Sequence, residues 1–281
     1  MSCAVPTELP RQNSPLPRPP LVNVLGVGIH VLDVSKAVDL IITAVERRRR
    51  GYVCVTGVHG VMEAQRDPDF RNILRDAFLV TPDGMPTVWM GRLQGHSQID
   101  RVYGPDLMLE VCERSTPSGI RHFFYGGKPG VADDLAANLQ SMFPKMVIAG
   151  TFTPPFRSLE PPELALLTQK MEDARPDIVW VGLSTPKQEK FMASYIKKLP
   201  CKIMIGVGAA FDIHAGRTND APDWIKNIGM QWAHRLFQEP TRLWKRYLVN
   251  NFAFLAALGQ QLVGIRRYSL PTSETNFTPS E

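Results

Sequence analysis

The chain lacks any run of the ~18–20 consecutive apolar residues that a bilayer-spanning helix needs, and no basic stretch followed by an apolar one opens it. The sequence therefore predicts neither a spanning segment nor export. Cysteine is scarce: Cys3, Cys54, Cys112 and Cys201 are scattered with no Cys-x-x-Cys spacing. That predicts neither a zinc site nor a disulfide framework and fits a reducing compartment. Acidic residues are in slight deficit, 27 against 32 Lys and Arg, for a formal charge of +5. Such a balance suggests an anionic partner, whether phosphate, a membrane surface or nucleic acid, without choosing among them. Apolar residues are plentiful at 44% of 281, enough to build the core of one large or two modest domains.

Residues 1–20 contain six prolines, and PLPRPP reads as extended polyproline in a tail outside the core. From Leu21 short apolar runs alternate with longer amphipathic stretches: LVNVLGVGI, SKAVDLIITAVERRRR, YVCVTGV, HGVMEAQRDPDFRNILRDA, FLVTP. RHFFYGG, MVIAGTF, DIVWVGL and KIMIGVGAAF continue the rhythm, each followed or preceded by a helical stretch. This βαβα alternation, with strands apolar along their whole length, predicts a Rossmann-like α/β fold: a mostly parallel sheet with helices on both faces. We place that domain at 21–215, a helical basic appendage at 216–267 and a polar tail at 268–281.

In an open parallel sheet, ligands settle outside the carboxyl ends of the strands, so chemistry is sought just after each apolar run. Thr56 follows YVCV, Asp83 follows FLVTP, Gly126 and Gly127 close RHFFYGG, Thr185 and Gln188 follow DIVWVGLS, and Asp212 follows KIMIGVGAAF. Asp83-Gly84 is a favoured turn pair in its own right. Its position at a strand end makes it a candidate functional carboxylate as well. STPKQEK reads as a helix start, with Thr185 the N-cap, Pro186 at N1 and Gln188 at N3 of a capping box. The free N–H groups of such a start also attract phosphate, and Lys187 adds charge.

Other patterns are incomplete. YGGKPG matches neither phosphate-loop nor dinucleotide spacing and reads as a tight turn. Gly26-Val27-Gly28 and Gly206-Val207-Gly208 each lack the third glycine of the dinucleotide fingerprint, so no nicotinamide cofactor is expected. Asp67-Pro68-Asp69 interrupts an amphipathic stretch instead of ending a strand, which predicts a turn within or between helices and no metal. His59, His122 and His214 have no partner at zinc-ligand spacing and are expected to be hydrogen-bonded structural residues.

From Trp224 to Arg267 there are seven Lys or Arg against one acid, Glu239. Pro240 is expected to start a second helix, with Arg242, Lys245 and Arg246 clustered within one turn and Arg235 on the helix before. Interleaved Leu236, Phe237, Leu243, Trp244, Tyr247 and Leu248 give the composition of a helix resting on anionic lipid. A helix packed on the core with a solvated basic rim is the other reading.

The stretches VTPDGMPTVWMGRLQG, RVYGPDLM, FFYGGKPGVADDLAANL, PDIVWVGLSTPKQEKFM, GVGAAFDIHAGR and APDWIKNIGMQWAHRLFQEPTRLWKRYL occur in this order. Together, over about residues 21–250, they resemble the WecG/TagA/CpsF family of bacterial glycosyltransferases. The resemblance implies transfer of a sugar, often N-acetylmannosamine, from a UDP-sugar to a sugar linked by diphosphate to undecaprenol, with inversion at the anomeric carbon. Such enzymes build cell-surface polysaccharide or teichoic-acid-type polymers. It implies Asp83 as the general base, a role in which a positioned carboxylate typically contributes ~10²–10⁴-fold. Thr56 would lie beside the donor sugar, and Arg101 would stabilise the charge of departing UDP. Gln188 would hold the nucleotide-sugar, with Asp212 at the uridine end and Gly126 and Gly127 also in the donor site. Arg235, Arg242, Lys245 and Arg246 would grip the lipid diphosphate and the anionic inner face of the cell membrane, making the protein cytoplasmic and peripheral. No cofactor and no metal are implied.

Three positions depart from the family pattern. Val58 stands where many relatives have Asn, which removes one hydrogen bond to the donor sugar. Phe152 stands where a tyrosine often stacks on uracil, and Lys245 replaces a common arginine, giving a point charge in place of a fork. The resemblance also implies UDP-glucose as an alternative donor, because some relatives in exopolysaccharide pathways add glucose. A nucleotide-binding regulatory module has no need of a general base, and a nucleic-acid-binding protein lacks its usual signatures here, so no nucleic-acid partner is expected. The aromatic and aliphatic surface of the appendage would also suit a homo-oligomer.

Overall fold

A computed structural model describes residue 16 and residues 18–270. Most of the proline-rich tail and residues 271–281 lie outside the described residues. The first apolar run differs from its expected role as a sheet strand. It folds back on itself as a two-stranded antiparallel hairpin, β1 (Leu21–Val24) and β2 (Val27–His30), separate from the main sheet. Leu25 and Gly26 at its tip both have positive φ, 52° and 79°, as a two-residue hairpin turn whose twist suits its strands demands. Leu25 tolerates that conformation because its side chain is fully buried and its N–H and C=O are bonded to Gln261 and Gln65.

The remaining strands form the expected parallel sheet. After helix α1 (Val34–Glu46) come β3 (Gly51–Thr56), α2 (Val58–Arg66), α3 (Pro68–Asp76), β4 (Leu79–Pro82), α4 (Met85–Leu93) and α5 (Gly104–Ser115). Then follow β5 (Arg121–Gly126), α6 (Val131–Met142), β6 (Val147–Phe152), α7 (Pro161–Ala174), β7 (Ile178–Gly182), α8 (Lys187–Tyr195), β8 (Ile203–Gly206) and α9 (Ala210–His214). The six strands order as β4-β3-β8-β7-β5-β6, all pairs parallel. Alternate strand residues serve two separate cores, as the two-residue period of a strand requires. Val53, Phe124, Trp180 and Ile205 pack with α1, α5, α6 and α9. Cys54, Phe123, Val179 and Met204 pack with α2, α3, α7, α8 and the hairpin.

Asp67-Pro68-Asp69 is the predicted turn between helices: Asp67 caps α3, accepting from the N–H groups of Asp69 and Phe70, and its other oxygen pairs with Lys190 Nζ at 2.7 Å. His122 is a core residue. Trp180 Nε1 donates to its Nδ1 at 3.0 Å, so Nε2 carries the proton and donates to Ser115 Oγ at 2.9 Å. Burial lowers its pKa to about 4.

The basic segment forms α10 (Asp223–Asn227), α11 (Gln231–Gln238) and α12 (Pro240–Leu262), and Pro240 does occupy the first turn of a new helix. Leu243 and Phe254 of α12 are buried, and α12 lies along α2.

Candidate active site

At the carboxyl end of the sheet three walls enclose a cavity of about 500 Å³, within the range of small-molecule sites. One wall is Val55–Gly60, from the end of β3 into α2; the second runs from Asp83 along α4; the third comes from α10, α11 and α12. Thr56, Asp83, Arg101 and Arg235, expected from the sequence at widely separated positions, all line it.

The position of Asp83 follows from its neighbours. Its N–H donates to the Thr56 carbonyl at 3.1 Å, continuing the β3–β4 ladder one step past the strand. Gly84 then takes φ 96°, accessible to glycine, and opens α4. Across the loop, a Cβ on Gly57 would lie 2.5 Å from the Asp83 carbonyl oxygen. Gly57 itself is extended (φ −106°, ψ −163°), so glycine is needed there for space and not for backbone freedom. The Asp-Gly pair is thus a turn, and the turn presents its carboxylate to the cavity.

Cationic and polar groups line the same cavity. Arg101 is mostly buried, makes a 3.6 Å ion pair to Asp106 through Nη2, and leaves Nη1 buried with no hydrogen-bond partner among the described residues. Gln231 Nε2 on α11 is a second such donor lining the cavity. Buried donors without partners are costly, and a bound anion or carbonyl supplies what they lack. The Arg101 guanidinium and Lys226 Nζ both lie over the Tyr103 ring, 5.3 and 5.6 Å from its centroid. Its hydroxyl donates to Asp220 Oδ1, whose other oxygen pairs with Lys226 at 2.8 Å. Burial opposes ionisation of Asp220, but the Lys226 and Tyr103 hydrogen bonds outweigh it and hold the carboxyl below its usual range.

Tyr103, Lys226 and Gln231 were not singled out as site residues from the sequence, and neither were His59, Glu189 and Asn250, which also line the cavity. Arg66 Nη2 donates to Asn250 Oδ1 at 2.6 Å, and Asn250 Nδ2 donates to His59 Nδ1 at 2.9 Å, tying α12 to α2. Glu189 is buried, and its Oε1 accepts from the Thr185 hydroxyl and from Gln188 Nε2. The expected capping box is absent: α8 starts at Lys187 with Pro186 at the cap, and Thr185 bonds the Glu189 side chain in place of a backbone N–H. Among the described residues no group of three or more His, Cys, Asp or Glu is arranged to hold a metal ion, and no helix is long and apolar enough to cross a membrane.

Residues 22–268 match the glycosyl transferase WecG/TagA/CpsF family. The chain belongs to that family. Among curated relatives, the N-acetylglucosaminyldiphosphoundecaprenol N-acetyl-beta-D-mannosaminyltransferase of Bacillus subtilis strain 168 is 31% identical over 185 residues, 66% of this chain and 70% of the relative. The protein of the same name from Bacillus spizizenii is 26% identical over 206 residues, 73% of this chain and 78% of the relative.

Gln188, Asp212, Gly126, Gly127 and Phe152, also expected in the site of this family member, do not line the large cavity. Gln188 is buried behind the wall, beneath Gly206 and Gly208, with Oε1 unpartnered among the described residues. Asp212 lines a separate recess of about 10 Å³ beside Arg235, room for one water at most. Gly126 and Gly127 pack the end of β5 against β7: a Cβ on Gly126 would lie 2.6 Å from the Gly182 carbonyl oxygen. Phe152 closes edge strand β6, stacked on Tyr125 at 5.9 Å, and β6 is four strands from β3, about 19 Å. Arg242, Lys245 and Arg246 fall on the first two turns of α12, and their side chains lie outside the described residues.

Proposed function

We propose that this family member transfers N-acetylmannosamine from a UDP-sugar to N-acetylglucosaminyl-diphospho-undecaprenol, inverting the anomeric carbon, at the inner face of the cell membrane. Asp83 takes the proton from the acceptor hydroxyl as that oxygen bonds to the anomeric carbon and the bond to the donor phosphate breaks. Arg101 meets the negative charge that leaves with UDP, in the manner of other preorganised cationic sites. Thr56 orients the donor sugar. Gln188 acts through the Glu189 carboxylate, and Asp212, Phe152, Gly126 and Gly127 form the outer nucleotide arm. Arg235, with Arg242, Lys245 and Arg246, receives the acceptor diphosphate. Guanidinium charge serves in place of a metal ion.

The observation that carries this reading is the juxtaposition, on one cavity, of the Asp83 carboxylate and the buried, unpartnered Nη1 of Arg101. The activity named for both relatives supports the choice of sugar and acceptor. A second donor is favoured by one observation: Val58 lines the cavity and offers no hydrogen bond to an N-acetyl group, which suits UDP-glucose. Both are tested by incubating the purified protein with UDP-ManNAc, UDP-GlcNAc or UDP-glucose and a prenyl-diphosphate N-acetylglucosamine, with and without EDTA. A disaccharide product from UDP-ManNAc, unaffected by EDTA, is expected. Product from UDP-glucose alone would shift the donor, restoration by magnesium after EDTA would overturn the metal-free mechanism, and no product at all would overturn the enzymatic reading.

A further inference from the structure

We infer that the cavity continues as a groove between α4 and α12 that holds the first isoprene units of the acceptor's polyprenyl chain. The inference rests on the acceptor proposed above and concerns a part of the cavity that the transfer chemistry does not use. On α4 the cavity-lining residues after Asp83 are Met85, Pro86, Trp89, Met90 and Leu93, one stripe along the helix. On α12 they run from Tyr247, Asn250 and Asn251 to Phe254, Leu255 and Leu258, again one stripe. The helices point the same way. α4 starts beside Asp83, and Asn250 of α12 is bonded to His59 near Thr56. At their far ends Gln94, just past α4, and Gln261 both donate to the carbonyl of Asn23, at 2.9 and 3.1 Å.

The groove between them is therefore polar at the sheet and apolar beyond, and the β1–β2 hairpin closes it. From Met85 to Leu93 it extends about 12 Å at the rise of a helix, the span of a few isoprene units. Met90 and Phe254 are each 2% exposed and form its floor, whereas Leu93 at 68% and Leu255 at 62% form exposed rims. A buried floor with apolar rims fits a single hydrocarbon chain better than the flat face of a bilayer or a globular partner. The cationic end, with Arg101 and Arg235, complements the diphosphate to which that chain is attached.

The test uses N-acetylglucosaminyl diphosphates esterified with methyl, prenyl, geranyl or farnesyl groups, with UDP-ManNAc and neither vesicles nor detergent. KM for the acceptor is expected to fall at least ~10-fold from methyl to farnesyl, well within what burial of that many carbons allows. In the doubly substituted Leu93→Ser, Leu255→Ser protein, that preference should disappear. Equal KM for all four acceptors in the unaltered protein would overturn the groove while leaving the proposed transfer standing. So would a preference that survives the substitutions, including the case in which they convert a sedimenting dimer to a monomer and mark a self-association surface. Elongation of none of the acceptors would overturn the groove together with the function on which it rests.

Discussion

Replacing Gly57 with alanine tests whether the Asp83 carboxylate works only where the β3–β4 loop holds it. The added methyl would start 2.5 Å from the Asp83 carbonyl oxygen, a backbone atom that no rotamer change can move. To restore an ordinary van der Waals separation of 3.4 Å the loop must retreat by about 0.9 Å. Gly57 has a φ of −106°, so alanine adds no backbone strain of its own, and the effect isolates the contact. Overpacking of this kind typically costs about 1–3 kcal/mol, which leaves a folded protein. A displacement of about 1 Å in a catalytic group can cost ~10²-fold in rate. Gly57→Ala should therefore show kcat lower by about 10², with the donor KM little changed. UDP release at saturating substrates measures the rate, and denaturant titration measures stability. A variant with unaltered kcat and the expected loss of stability would refute the reasoning, because the loop would have yielded without consequence for the base.

Asp83→Asn should retain UDP-sugar binding by calorimetry while losing at least ~10² in turnover, the lower range for a missing general base; an unchanged turnover would remove Asp83 from the mechanism. Stability should fall on acidification because His122 has a folded pKa of about 4 against 6.5 unfolded. Above pH 6.5 both states are neutral there and the fold keeps its full stability; between about 6.5 and 4 only the unfolded state takes up the proton. The full difference is about 3 kcal/mol at 1.36 kcal/mol per unit. His122→Gln keeps an acceptor for Trp180 and a donor for Ser115 but does not titrate, so its stability should decline less steeply than that of the unaltered protein in this window. Parallel declines would show that other groups set the pH dependence.

The sheet was legible because a strand buried on both faces is apolar along nearly its whole length, as YVCV, FLV, FFY and IVWV are. The hairpin was not, because its turn carries Leu25 where the turn type favours Asn or Gly, and the bonds that hold Leu25 come from Gln65 and Gln261, 40 and 236 residues away. Asp83 and Thr56 could be found from the rule that ligands gather at strand ends. His59 also sits there, three residues past β3, and that position was the available signal. Asn250 had none. Its polar partners lie 184 and 191 residues earlier, and only the packing of α12 on α2 unites them. Thr185 reads as a cap because Pro186 suits N1 and Gln188 suits N3 of a capping box, whereas the nearby Glu189 carboxylate competes successfully for its hydroxyl.

The final strand ends at Gly206, yet the cavity's third wall begins at Lys226 and runs to Leu258. Because domains are synthesised from the N-terminus and fold as they emerge, all six strands are available before the ribosome has made that wall. Asp83 thus first faces open water and becomes enclosed only when the last helices arrive. A product shortened by stalling or proteolysis between the end of β8 at Gly206 and the start of α10 at Asp223 keeps every strand and the carboxylate but lacks the third wall of the chamber.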